Sequence, residues 1–221
     1  MKRLFLLLFM FCIASARADY VKLNETEQKE FLSSLQTSLE GIKRLAGKFT
    51  QERHLSLFTD PLMAKGVCFF EYPSKLRWEI YGPYQSILIY NGRGVAKFDA
   101  DEKGLLRKLN LGGSDILMEI LSQITAWMKG DFSKSGDVYA LSVLKGEKDN
   151  LLVLTPKSEE MLKNIKAIEL SARKDTNRIS SVTIRESKED FIKISFYDEK
   201  INPEIPAVVF DLSKPEKAPH F

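Results

Sequence analysis

The chain has 221 residues, a length that suits one domain or two small ones at most. Of these residues 44% are hydrophobic and 29% are charged, a composition typical of a globular protein rather than a disordered or fibrous chain. It contains 33 lysines and arginines against 30 acidic residues, so its formal net charge is +3. Three basic residues and no acidic residue lie in the first 18 positions. The remainder is therefore neutral, which argues against a protein dedicated to binding nucleic acid or anionic lipid.

The N-terminus has the anatomy of a secretory signal peptide. Lys2 and Arg3 form a positive start, residues 4–13 form an apolar run, and residues 16–18 read Ala-Arg-Ala, an A-x-A cleavage site. The apolar run is too short for a permanent membrane-spanning helix, and an uncleaved N-terminal anchor is the alternative. We expect cleavage after the alanine at position 18, export, and a mature single domain of residues 19–221.

The cysteine content indicates how the mature fold is stabilised. Cys12 is removed with the signal peptide, and Cys68 is then the only cysteine of the sequence. One cysteine cannot form an internal disulfide, so a hydrophobic core must hold the fold even in an oxidising compartment.

Residues 24–45 predict the first element of the mature chain, an amphipathic helix. Asn24 suits the N-cap, with Glu27 three residues later. The apolar residues that recur at helical spacing are Phe31, Leu35, Leu39 and Ile42.

Short strand-like runs begin after residue 46 and are separated by glycine, proline, asparagine and aspartate. Their close spacing predicts antiparallel neighbours joined by short turns. The predicted strands of this first half are 47–53, 65–72, 76–81, 86–90, 94–99 and 105–109.

Residues 114–129 interrupt the strands with a second amphipathic helix, which Ser114 can cap and Gly130 can end. Its apolar face consists of Ile116, Leu117, Ile120, Leu121, Ile124 and Met128. Strands then resume, and those predicted are 138–144, 150–155, 165–172, 179–186, 191–196 and 206–212. About a dozen antiparallel strands and two such helices predict a mainly β fold in which the helices plug a half-open barrel.

Alternation along the strands predicts which side chains share a face. Leu76, Trp78 and Ile80 lie on one side of their strand, opposite Arg77 and Glu79. The residues that we place in the same interior are Phe49, Val67, Phe69, Ile87 and Ile89. This interior is either a filled hydrophobic core, which is more common for any single residue, or a cavity, which the width of a barrel with this many strands favours.

No catalytic or metal-binding constellation is recognisable in the sequence. Its two histidines are His54 and the penultimate His220, and no H-E-x-x-H, paired Cys/His or Ser/His/Asp pattern is present. Residues 112–114 read Gly-Gly-Ser but lack the lysine of a P-loop and the glycine spacing of a dinucleotide site. We therefore predict a protein that is not an enzyme and holds no metal or cofactor.

A set of short motifs runs through most of the mature chain in a defined order. They are residues 47–51 (GKFTQ), Gly66, residues 72–79 (YPSKLRWE), Pro83, residues 85–89 (QSILI), residues 91–92 (NG), residues 152–157 (LVLTPK) and the closing run 202–210. In order and spacing they resemble the LolA family of periplasmic outer-membrane lipoprotein carriers, from about residue 42 to residue 215.

The resemblance implies an incomplete, strongly curved antiparallel barrel with the amphipathic helices as a lid. Acyl chains of a lipoprotein would lie between the concave face and the lid, in the periplasm. The resemblance places Phe49, Leu76, Trp78 and Ile80 on that face, and the underside of the lid is formed by Ile116, Leu117, Ile120, Leu121 and, by helical spacing, Ile124. It also implies an inner-membrane release complex and an outer-membrane acceptor as partners, and we expect a monomer that binds no nucleic acid.

Tyr72, which we include among the cavity residues, departs from the family pattern. The best-known members have an arginine immediately before the strand proline, inside the cavity, bonded to the lid helices. A tyrosine carries no charge at neutral pH, so the latch is expected to be weaker or built differently. Two alternatives therefore stay open: a carrier of another lipid or glycolipid, and a periplasmic lipid-sensing interaction protein.

Overall fold

The computed structural model describes residues 20–111, 114–213 and 215, and within its second helix it describes side chains from residue 121 onward. The predicted signal peptide, residues 1–18, lies outside the described residues. The described strands are β1 (Val21–Lys22), β2 (Arg44–His54), β3 (Leu62–Glu71), β4 (Lys75–Gly82), β5 (Ser86–Tyr90), β6 (Val95–Ala100), β7 (Leu106–Leu109), β8 (Tyr139–Lys145), β9 (Asp149–Pro156), β10 (Ala167–Arg173), β11 (Ile179–Arg185) and β12 (Phe191–Ile201). The helices are α1 (Glu25–Leu39), α2 (Ser114–Met128), α3 (Ser135–Val138), α4 (Glu159–Asn164) and a 3₁₀ helix (Ala207–Phe210).

The described strands form one antiparallel sheet of 12 strands in the order β1-β8-β9-β10-β11-β12-β2-β3-β4-β5-β6-β7. The chain enters the middle of the sheet at β2, runs outward to the edge strand β7, crosses through α2, and returns from the opposite edge to β12. The edges β1 and β7 do not pair with each other, so the sheet is not closed. This confirms the predicted mainly β fold, an incomplete antiparallel barrel with a few helices.

The span of α2 shows that the sheet is curved. This helix contacts β4 and β6, while Trp127 near its C-terminal end packs edge-on against Tyr139 of β8, with ring centroids 5.6 Å apart. In a flat sheet, β4 and β8 would lie about 34 Å apart across seven strand spacings. A helix of 15 residues is only about 22 Å long. The sheet therefore bends so that both of its halves face the same helix.

Helix α1 begins as predicted but ends earlier. The side chain of Asn24 accepts a hydrogen bond from the Glu27 amide at 3.0 Å, and the Glu27 carboxylate accepts one from the Asn24 amide at 2.8 Å, which completes a capping box. The helix stops at Leu39 rather than at residue 45, because Gly41 disfavours its continuation and Arg44 already starts β2. The short elements β1, α3 and α4 were not among the predicted ones.

The predicted strand 206–212 is wrong. Residues Ala207–Phe210 form the 3₁₀ helix instead, and Val209 and Phe210 are buried against the sheet without pairing with a strand. Pro206, which precedes this helix, has no N–H to donate to a neighbouring strand. A short apolar run alone does not distinguish a strand from a segment that packs on top of a sheet.

Two hydrophobic cores lie on the two faces of the sheet. The concave-face core joins residues of both sheet halves to α1 and α2, and its buried members include Leu35, Leu39, Leu45, Phe49, Phe70, Leu76, Ile80, Leu121, Trp127, Val143, Leu152, Leu154, Leu170 and Phe196. The outer-face core lies beneath the C-terminal segment, and its buried members are Ala46, Phe69, Ile87, Ile89, Ala96, Phe98, Ile205, Val209 and Phe210.

A buried ion pair fixes the C-terminal segment to the outer face. Arg77, with 0% of its surface exposed, donates to one carboxylate oxygen of Glu79 from Nε at 3.0 Å and from Nη2 at 2.6 Å. Its Nη1 donates to the carbonyl of Val209 at 3.2 Å. Both side chains thus point away from the concave face, as the alternation along this strand predicts.

We expect Arg77→Leu to lower the free energy of unfolding by about 3–5 kcal/mol, because the Glu79 carboxylate would stay buried without its partner. The double variant Arg77→Leu/Glu79→Leu should lose much less stability, since no charge remains among the apolar side chains of the outer-face core. Urea denaturation followed by circular dichroism measures both. A double variant no more stable than the single one would contradict this role of the pair.

Candidate functional site

Three aromatic rings occupy the middle of the concave face. The rings of Phe49 (β2) and Trp78 (β4) stack with centroids 3.8 Å apart, and Phe196 (β12) meets Trp78 edge-on at 6.0 Å. Strand register brings them together, because Phe49 lies directly opposite Phe196 on one side and opposite Gly66 of β3 on the other. The three rings form a large apolar surface across strands β12, β2 and β4.

Gly66 allows this stacking across an intervening strand. A Cβ atom at this position would lie 2.3 Å from Cζ of Phe49 and 2.2 Å from the carbonyl oxygen of Glu79. Both distances are far below van der Waals contact, so only glycine lets the Phe49 ring cross β3 to reach Trp78. A lone glycine within an otherwise apolar strand is the sequence signal for such a close approach.

Helix α1 covers one part of the concave face. Leu35 and Leu39 are fully buried in the concave-face core. Towards β8 the helix has one described hydrogen bond, which Gln28 accepts from the Val143 amide at 3.0 Å. Gln28 also donates one to the carbonyl of Leu23, just before the helix, at 3.2 Å. Apolar packing therefore holds most of α1 in place.

Helix α2 covers the other part. Leu121 is buried in the concave-face core and Ile124 packs half-buried against it. Trp127 is anchored at the end of the helix by a hydrogen bond from Nε1 to the Ser135 hydroxyl at 2.7 Å. The side chains of Ile116, Leu117 and Ile120, also predicted for the lid underside, lie outside the described residues.

Buried apolar side chains pack between the helices and the sheet. Phe49, Leu76 and Ile80 expose between 0% and 6% of their surface. Some apolar side chains of the same face are only half-buried, and these are Trp78, Leu88, Val182 and Ile194. We call these four residues the apolar rim. The concave face thus combines fully buried side chains with apolar side chains that water can reach.

The predicted cavity residues divide between the two faces. Tyr72, Leu76, Trp78 and Ile80 lie in or against the concave-face core together with Phe49, as predicted. Their role in binding a ligand stays a prediction.

The prediction that Val67, Phe69, Ile87 and Ile89 share this interior is wrong. Phe69, Ile87 and Ile89 are buried in the outer-face core, and Val67 packs against it. The register explains this: Gly66 pairs with Ile80 and Leu88 pairs with Trp78, so their sequence neighbours face outward. Strands β3 and β5 are apolar on both faces, and alternation alone then cannot orient them.

Tyr72 lies beneath the end of α2, at the position where the family arginine was expected. The ammonium group of Lys129, the residue directly after α2, lies 5.6 Å from the centre of the Tyr72 ring, a cation–π contact. The Tyr72 hydroxyl is sealed from solvent and has no hydrogen-bond partner in the described part of the chain. Burial raises the pKa of Tyr72, so the phenol stays protonated at neutral pH.

A pocket of about 320 Å³ adjoins Tyr72 at this end of the sheet. The residues that line it are Lys43, Arg44, Glu71, Tyr72, Pro73 and Lys129. Arg44 and Lys75 pair with Glu71. Three positive charges against one negative charge make the pocket basic, a feature that the sequence analysis missed because its residues come from three separate segments.

The cysteine thiol and the possible metal ligands are the other reactive groups of the described residues. Burial raises the pKa of the Cys68 thiol, which donates a weak hydrogen bond to the Gly47 carbonyl, so it is held as the inert thiol. Within residues 20–111 and 114–213, no three His, Cys, Asp or Glu side chains are grouped so that they could hold a metal ion. None of the helices described there is long and apolar enough to cross a membrane.

Comparison with known proteins gives one family. The sequence profile of the family described as "Outer membrane lipoprotein carrier protein LolA" matches residues 40–213. An outer-membrane lipoprotein carrier protein of Chromohalobacter salexigens is 26% identical over 156 residues, which cover 70% of this chain and 69% of that protein. One of Pseudomonas aeruginosa is 27% identical over 145 residues, which cover 65% of this chain and 64% of that protein. The matched regions thus span about two thirds of these relatives.

Solved structures agree with the fold. The crystal structure of MucB has a TM-score of 0.51 at 14% sequence identity, and the match covers 85% of this chain and 63% of that chain. At this level of identity the similarity extends to the fold alone.

Gly66→Ala tests the aromatic arrangement of the concave face. We expect it to lower the free energy of unfolding by about 2–3 kcal/mol, because the new methyl group meets a backbone carbonyl and the Phe49 ring. The near-ultraviolet circular dichroism of the stacked rings should change with it. Gly41→Ala, where the added methyl group meets nothing within 4 Å, is the control and should be neutral. A Gly66→Ala variant as stable as this control would contradict the close approach.

Proposed function

Since the chain belongs to the LolA family of outer membrane lipoprotein carrier proteins, we propose that it is a periplasmic carrier that binds acyl chains between the concave face of its sheet and helices α1 and α2. The observation that carries this proposal is the apolar rim beside a core that two helices cover. These half-buried side chains give an acyl chain an apolar surface to contact before the helices move.

When cargo binds, an acyl chain replaces the helices as the apolar partner of the concave face. In the described state the helices cover the concave face and keep the empty carrier soluble. An acyl chain enters at the rim, displaces the helices and packs on Phe49, Trp78 and their neighbours. Because α1 has few polar bonds to the sheet, its displacement breaks mainly apolar contacts, which the acyl chain remakes.

The energetics favour a covered rather than an open cavity. Burying a ~16-carbon acyl chain is worth about 13 kcal/mol. A carrier that bound cargo with all of this energy would not release it. Since the helices must lose their own apolar contacts when cargo binds, part of the binding energy is offset and cargo can pass onward. We propose an inner-membrane release complex as the donor and an outer-membrane acceptor as the destination of a lipoprotein cargo.

Tyr72 favours a second candidate of the same class, a carrier of another acylated lipid or glycolipid. The latch between sheet and lid is here a cation–π contact between Lys129 and Tyr72 rather than a bonded arginine. The resulting difference at the end of the lid changes the surroundings of the cargo's polar end. The acyl-binding face is common to both candidates, and the identity of the extracted cargo separates them.

To test the proposal, the chain with its signal peptide is expressed in a Gram-negative host and the mature protein is purified from the periplasm. Bound molecules are then identified by native mass spectrometry and organic extraction. We expect an acylated compound: a lipoprotein supports the first candidate and a free lipid supports the second. Cleavage after residue 18 is read from the same mass. A protein that carries no acylated compound but copurifies with one membrane protein would instead support a sensor.

A matched pair of variants tests whether the cargo binds at the concave face. Ile194 lies on the concave face of β12 and is half-buried, while Ser195 next to it faces the other side. We expect Ile194→Arg to reduce the extracted cargo at least about tenfold, because the charge would lie against the acyl chain. Ser195→Arg should retain the wild-type amount. Equal cargo in the two variants would contradict binding at the concave face.

A further inference from the structure

The Tyr72 hydroxyl is a buried polar group that the fold itself does not use. It is one of the few buried side-chain polar atoms left without a partner in the described part of the chain. Such a group destabilises the empty protein, because the desolvation of the hydroxyl is not compensated by a hydrogen bond. Phenylalanine would fill the same space without this penalty, so packing alone does not account for the hydroxyl.

The surroundings of Tyr72 place this hydroxyl where cargo would arrive. The ring packs against the concave-face core, and Lys129 at the end of α2 covers it. The backbone is fixed, since the Tyr72 amide donates to the Lys43 carbonyl at 3.0 Å. When α2 leaves, Lys129 leaves with it, and the tyrosine becomes part of the uncovered binding face.

Tyr72 lies between an apolar region and a basic region. On one side lies the apolar core with Phe49 and Trp78, and on the other lies the basic pocket of about 320 Å³. An acylated molecule has the same two sides: an apolar chain, then an ester or amide carbonyl, then a polar end. A protonated phenol can donate one hydrogen bond, and such a carbonyl can accept it.

We propose that the Tyr72 hydroxyl donates a hydrogen bond to the ester or amide carbonyl of a bound acyl chain, with the polar end of the same molecule beside Lys43 and Arg44, the basic pocket residues that do not move with α2. This rests on the proposed function, because it requires the acyl chain on the concave face. It assigns Tyr72 as a specificity-determining residue that distinguishes acyl chains from alkyl chains of equal length.

The test uses two probes that differ only in this carbonyl. Palmitoyl lysophosphatidylglycerol carries an ester, and its hexadecyl ether analogue does not. Both are titrated, below the concentrations at which they form micelles, into the mature protein and its Tyr72→Phe variant while tryptophan fluorescence is followed. We expect the wild type to bind the ester about 5- to 10-fold more tightly than the ether, and the variant to bind both equally.

Tyr90→Phe is the matched control. Tyr90 is 6% exposed in the same core, and its hydroxyl is not among the sealed, unpartnered atoms of the described residues. This control should keep the preference for the ester. Tyr72→Phe should unfold at the same urea concentration as the wild type or at a higher one, since it removes an unpartnered buried group.

The outcomes separate the two proposals. A wild type that binds both probes with equal affinity, or a Tyr72→Phe variant that keeps the preference, overturns the role of the hydroxyl and leaves the carrier in place. A wild type that binds neither probe overturns the acyl-binding function. A Tyr72→Phe variant less stable than the wild type shows that the hydroxyl has a structural role and also overturns the inference.

Discussion

The apolar concave face of an open, curved sheet has to be covered, and the rest of the structure depends on how this is done. The two edge strands of the 12-stranded sheet, β1 and β7, do not pair with each other, so the sheet does not bury its concave face by closing into a barrel. Helices α1 and α2 therefore supply the missing apolar surface. Because they supply it from outside the sheet, chiefly through side-chain packing, the cover is the part of the molecule that another apolar partner can replace.

The two faces of the sheet are held in different ways. On the outer face the C-terminal segment is fixed by burial of Phe210 and by the fully buried Arg77, which bonds both Glu79 and the Val209 carbonyl. On the concave face, α1 has one described polar bond to β8, from the Val143 amide to Gln28. The proposed carrier function requires the helices to move without loss of the sheet, and the sparse polar bonding of α1 supports that requirement.

Much of this was predictable from the sequence, and the failures have a common cause. Alternation within one strand correctly separated Trp78 from Arg77, because that strand is apolar on one side and charged on the other. It failed for Phe69 and Ile89, whose strands are apolar on both sides. Their orientation depends on cross-strand register, which no single strand encodes. The basic pocket was missed for a similar reason, since Lys43 and Lys129 are far apart in the chain.

The central claim, that acyl cargo displaces the helices from a pre-filled core, is tested most directly by hydrogen exchange. Exchange is followed by mass spectrometry on the mature protein, with and without acyl lipid at a concentration that saturates binding. The account predicts that amides of α1 and α2 exchange faster when lipid is bound, while those of β2, β3 and β4 stay protected. Unchanged or slower exchange in both helices at saturation would contradict it, because the lipid would then bind without moving the cover.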